Sequence, residues 1–146
     1  MNKYLNGIVS GFIATFVLSI LMVIKGAVGI MPQFDVIKDM STTIGTTSIA
    51  AGWFLHFILG SVLWGVLFAL TVDFFKGGYW LRGVQFGLII WLLMMIVFMP
   101  FVGNGFFASN LGAPAFVMTL VLHIIFGFVL GVFYEVFRKK GSSTGV

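Results

Sequence analysis

The chain has 146 residues, 60% of them apolar and 8% charged, where a soluble domain carries roughly a quarter charged residues. That balance excludes a soluble globular fold and leaves one integral membrane domain, 1–146. The net charge of +4 is split among the chain ends and one loop, which reads as a topology signal and not as a nucleic-acid patch, and the lack of cysteine excludes disulfides, thiol redox chemistry and thiolate metal ligands.

An apolar run from Leu5 to Ile24 follows Lys3. Its length of about 20 residues spans a bilayer, whereas a signal-peptide core is about 7–15 residues, and no A-x-A site follows. A retained first transmembrane helix ending near Lys25 is expected. Residues 26–48 are less apolar. Pro32 suits the first turn of a new helix, and Asp35 in that turn favours its dipole. Phe34, Ile37, Met40 and Ile44 recur at spacings of three and four, so a short helix lying on the membrane surface is expected, with a partly ordered loop as the alternative.

A second span runs from about Ile49 to Phe74 and leads into a basic loop with Lys76 and Arg82. The third span, about Tyr79 to Phe101, is interrupted by Pro100. An uncharged connection, Gly103 to Gly112, precedes the fourth span, about Ala113 to Phe137. Arg138, Lys139 and Lys140 form a basic stop, and 141–146 is expected to be a flexible tail. Lys3, Lys76, Arg82, Arg138, Lys139 and Lys140 fall on one side, against Lys25 and Lys38 on the other. The bias predicts cytoplasmic N- and C-termini. Tyr4, Tyr79, Trp80 and Tyr134 form an inner aromatic belt, and Trp53 marks the outer interface. Asp73 with Lys76 and Glu135 with Arg138 are spaced as solvated pairs worth little.

The second span has an echo in the fourth. WFLHFILGSVLWGVLFALTVDFFK (53–76) and LVLHIIFGFVLGVFYEVFRKK (120–140) share Leu-His followed by Gly: Leu55, His56, Gly60 and Leu122, His123, Gly127. Both continue through Val-Leu to Gly65 or Gly131, with one extra residue, Trp64, in the first copy. The first and third spans match as YLNGIVSG (4–11) and WLRGVQFG (80–87). The fold class expected is therefore an all-α, four-transmembrane-helix bundle built from two parallel two-helix repeats, about 4–76 and about 80–140. Their symmetry axis would lie along the membrane normal. Gly7, Gly11, Gly60, Gly83, Gly87, Gly127 and Gly131 are expected at helix contacts, where small residues let backbones approach.

His56 and His123 are the only histidines, and each lies within a span, where an ionisable group is costly. At 1.5 Å per residue they lie roughly 10 Å and 15 Å from the outer ends of their helices. Several readings are open. Each imidazole bonds a helix neighbour such as Thr15, Ser19 or Thr119. Alternatively, the pair supplies both axial ligands of a haem b, with a glycine one turn along leaving room for the macrocycle. A copper site would add Met95 and Met99, with Met22 and Met94 at similar depth, although methionine also fills gaps in apolar helices. Proton-coupled binding of a small solute or quinone is the remaining reading. Lys25 either snorkels or pairs with Asp35 or Asp39, pinning the surface helix over the bundle mouth. Lys25, Asp35 and Asn104 then form an outer vestibule. No acid lies at the depth of either histidine, and neither a phosphate loop nor paired intramembrane carboxylates occur, so an enzyme has few residues to work with.

MPQFDVIKDM after the first span, HFILGSVLWGVLFAL, LLMMIVFMP and VMTLVLHIIFGFVLG together resemble a family of small bacterial integral membrane proteins described only as a domain of unknown function. The resemblance covers about residues 4–137. It implies a multi-pass protein of the bacterial inner membrane with four helices and carries over no catalytic residue. The leading functional expectation is a non-enzymatic subunit, scaffold or regulator, homo-oligomeric or part of a larger membrane complex in the lipid bilayer. The alternatives are a haem or copper redox protein using His56 and His123, and a small-solute carrier with its site between the repeats.

Overall fold

The computed structural model describes residues 2–143. Four long helices, α1 (Lys3–Ala27), α3 (Ile49–Phe74), α4 (Tyr79–Phe101) and α5 (Ala113–Ser143), are apolar and long enough to cross a membrane. The short α2 (Val36–Thr43) lies between the first two. The chain start, the turn after α3 and the end of α5 share one end of the bundle, called here the terminal end. The α2 end holds α2 and the loop between α4 and α5. Helix α5 runs on through Ser143, where a tail was expected from 141. A Glu135–Lys139 pair at 2.6 Å, spaced i,i+4, supports its last turns. Residues 144–146 of the expected tail lie outside the described residues.

In lipid, helices gain little from burying apolar surface against one another, so close packing has to hold them together. Gly7 of α1 faces Gly65 of α3 so closely that a Cβ on either would run into the carbonyl of the other. Gly83 of α4 and Gly127 of α5 stand in the same relation. Gly11 abuts the backbone of Gly60 and Ser61, Gly87 that of His123, and Gly131 that of Tyr79. The Thr15 side chain occupies the space that a side chain on Gly60 would need. These contacts make two tight antiparallel hairpins, α1/α3 and α4/α5, and α1 also packs closely on α5. Helices α3 and α4 meet through long side chains, with Trp64 and Phe68 against Phe86.

Two stretches are wound more widely than an α-helix: a π turn at Ile58–Leu63 in α3 and another at Met94–Phe98 in α4. The first absorbs one residue, matching the extra Trp64 in that copy of the echo. The second lies just before Pro100, whose ring would otherwise press on the carbonyl four residues back.

The half of the bundle near the terminal end packs around aromatic rings. Phe68 is fully buried, with ring centroids 5.3 Å from Phe86 and 5.2 Å from Tyr134. The α2 half is hollow and roofed. Helix α2 starts later than the position of Pro32 suggests, because Asp35 is its N-cap and not a first-turn residue. The Asp35 carboxylate accepts from the backbone N–H groups of Ile37 and Lys38. Phe34 and Ile37 turn into the bundle, whereas Ile44 is 52% exposed. Gly52 of α3 admits α2, since a Cβ there would meet the Ile37 carbonyl and the Ser41 hydroxyl.

Candidate binding cavity

The hollow half holds a half-open cavity of about 770 Å³. Thr15, Leu18 and Met22 of α1 form one wall, and His56 and Leu59 of α3 the next. Met94 and Phe98 of α4 face Thr119, Leu122 and His123 of α5. Phe126 and Trp64 close the floor, and Phe34, Ile37 and Met40 the roof. Both π turns border this space, through Leu59 and Gly60 and through Met94 and Phe98. Its size falls within the range of small-molecule sites, roughly 300–1,000 Å³, and its lining is mostly apolar with few polar groups.

Both histidines line it. The Nδ1 of His123 lies 2.8 Å from the Thr119 carbonyl oxygen. That oxygen can only accept, so Nδ1 carries the proton and Nε2 keeps the lone pair. His56 is 8% exposed, held edge-on between the rings of Trp53 and Phe57, with centroids at 5.8 and 5.9 Å. Its Nε2 is buried without a hydrogen-bond partner in the protein. The hydroxyls named as partners turn back to their own helices: Thr15 donates to the Gly11 carbonyl, Ser19 to that of Thr15, and Thr119 to that of Ala115. Gly7 packs on Gly65 but its echo Gly83 on Gly127, which echoes Gly60, so the hairpins differ in register; counted from these crossings, His56 lies nine residues before its glycine and His123 four. His56 therefore stands about one turn nearer the α2 end.

The methionines divide. Met22 and Met94 line the cavity, as do Met40 and Met118, whereas Met95 and Met99 are fully buried in a separate cluster with Phe34, Ala108 and Ala115. Among the described residues no group of three His, Cys, Asp or Glu converges on a point. Lys25 lines the cavity, but its ammonium donates to the Phe34 carbonyl and sits over the Phe34 ring at 5.2 Å. It therefore grips the roof through backbone and ring, a third arrangement beside the snorkelling and the acid pairing that the sequence left open. Asn104 does not line the cavity as Lys25 and Asp35 do, and donates to the Asp39 carboxylate at 3.3 Å. Burial pushes the Asp39 carboxyl above its ordinary range; the Asn104 hydrogen bond opposes this, nearby Asp35 adds to it, and Lys38 offsets it. Sequence spacing does not reveal this roof contact. Of the expected ion pairs, Asp73 is bound by Arg82 at 3.2 Å and Glu135 by Lys139. Arg82 reaches back across the turn, where its Nε also holds the Gly77 carbonyl.

Four helices apolar and long enough to cross a membrane define a small multi-pass membrane protein. The chain belongs to a family of unknown function, DUF6789, whose profile matches residues 1–144. No curated protein and no solved structure matches it.

Proposed function

We propose that the protein binds a small, largely apolar molecule with a polar group inside the bundle, as a carrier or presenter within the membrane. One observation carries this reading: the roofed cavity of about 770 Å³ has on its wall a histidine whose buried Nε2 has no partner. Native proteins seldom leave such an atom unsatisfied, and a rotation of the ring toward the cavity would bring it to a donor on a bound molecule. Orientation follows the basic residues at the terminal end, so the termini are cytoplasmic, in a bacterial inner membrane, and the cavity lies in the outer half. The two-helix repeat draws on the sequence echo, while the glycine crossings are offset, with Gly7 on Gly65 but its counterpart Gly83 on Gly127 and not Gly131, and α3 and α4 stand apart. The scaffold reading, with a homo-oligomer or larger complex, draws on the apolar faces of the spans, which lipid alone would also cover.

The test is gentle purification from native membranes, followed by mass analysis of the organic extract, an absorption spectrum and metal analysis of one sample. A near-stoichiometric apolar molecule, lost when Leu59→Trp fills the cavity, is the expected result. An empty sample from both proteins would return the scaffold reading to first place. A Soret band, or copper at one per chain, lost in His56→Ala, would replace the carrier with a haem or His/Met copper redox protein.

A further inference from the structure

The polar groups on the cavity wall differ in what they still have to offer. Thr15 and Thr119 are buried there, with their hydroxyl protons spent on the Gly11 and Ala115 carbonyls of their own helices. Thr119 Oγ1 also accepts from the Trp91 indole N–H at 3.2 Å. The Nε2 of His56 is buried. His123 is the exception. Its Nδ1–H is held by the Thr119 carbonyl at 2.8 Å, which fixes the ring and spends its one proton along its own helix. Nε2, on the opposite edge of the ring, accepts from no group among the described residues and is not sealed in as that of His56 is. A bare imidazole nitrogen on an apolar wall lacks only a donor.

The wall also selects on charge. Among the described residues Asp35 is the one acid lining the cavity, and its carboxylate already caps α2 in the roof through the N–H groups of Ile37 and Lys38. No second acid is at hand to balance an imidazolium or a cationic ligand, and an unpaired charge in apolar surroundings is costly. A carboxylate, ester or ketone would set its lone pairs against that of Nε2 and leave both unsatisfied. A neutral hydroxyl brings the missing donor. We propose that the cavity takes a neutral alcohol or phenol, whose hydroxyl donates to His123 Nε2 while its apolar part lies against Leu18, Met22 and Leu122. This ligand class rests on the binding reading above. His123 sets the specificity, whereas Leu59 only shapes the space.

Calorimetric titration of the full chain, washed in detergent until its organic extract is blank, tests it. The probes are para-octylphenol, its methyl ether and ionised para-octylbenzoate, with Leu59→Trp protein as the blank for uptake by micelles. The phenol should bind roughly tenfold tighter than the ether, the worth of one hydrogen bond to a buried acceptor. The benzoate should bind no tighter than the ether. His123→Phe should bring the phenol down to the ether and leave the ether unchanged, which also reports that the variant is folded. Should that variant misfold, wild-type protein with isotope-labelled histidine decides: the Nε2 resonance of His123 should shift with the phenol and stay put with the ether. Equal affinity for phenol and ether would mean that a wall donor such as the Trp64 N–H sets the choice, and would overturn the proposal while leaving the binding reading intact. A phenol preference that survives in His123→Phe would overturn it too. No probe binding above the blank would bring down the binding reading and this ligand class together.

Discussion

The Asn104 side-chain amide donates to the Asp39 carboxylate across 3.3 Å, tying the cavity roof to the loop between α4 and α5. From the other side, Lys25 of α1 holds the Phe34 carbonyl. The roof is thus gripped from two elements far apart in the chain, and one of the grips ends on a titrating group.

Because burial raises the Asp39 pKa, the docked roof keeps its proton to higher pH than the released segment does. Its contribution to roof stability is greatest below the ordinary carboxylate pKa and is lost as pH rises through the raised value. Amide exchange protection in α2, corrected for intrinsic rates, should fall across that window and then level off. Asp39→Asn stays neutral and can still accept from Asn104, so it should flatten the profile. A variant that keeps the wild-type slope would place the titration elsewhere.

Glycines in the hairpins should differ sharply from those outside them. A Cβ at Gly83 would meet the backbone of Gly127 and Gly131, which cannot move aside as a side chain can. Gly83→Ala should cost about 1–3 kcal/mol as overpacking, read as a lower unfolding midpoint in detergent. Gly26 has nothing within 4 Å of a Cβ, and Gly26→Ala should be neutral or slightly stabilising.

Thr15 and Gly60 should be coupled. The new methyl of Gly60→Ala would fall on the Thr15 side chain, whose hydroxyl is committed to the Gly11 carbonyl at 2.7 Å. The substitution should destabilise the wild type and be tolerated better beside Thr15→Ala. A double-mutant cycle should return a coupling of about 1 kcal/mol or more, and additive effects would contradict the packing described.

The π turn in α3 predicts an asymmetry between deletions. Removing the lipid-facing Val62 would let Ile58–Leu63 relax to ordinary α-helix with both flanking faces in place. Removing Phe128, equally lipid-facing but on unbroken α-helix, would rotate all that follows by about 100°. The Val62 deletion should yield monodisperse protein and the Phe128 deletion aggregate, as read by size-exclusion chromatography.

The four spans were legible because lipid demands about twenty consecutive apolar residues, and their observed ends lie within a few residues of the expected ones. The roof was less legible: Pro32 pointed to an early helix start, but the Asp35 side chain, by satisfying Ile37 and Lys38, sets it later. Contacts such as Asp39–Asn104 depend on how two loops meet in space, and no periodicity encodes that. The π turn did have a signal, since Trp64 is one residue too many for the echo.

Where backbone lies on backbone, as at Gly7–Gly65 and Gly83–Gly127, there is no side chain to reorient, so each hairpin resists shear as a stiff arm. The α3–α4 side has no such crossing and is bridged by Trp64, Phe68 and Phe86. Mechanically the molecule is a clamp with two rigid jaws and one compliant seam. A molecule entering sideways from the bilayer would do so by swinging rotamers at Trp64 and Met94, with no helix pair having to be prised apart.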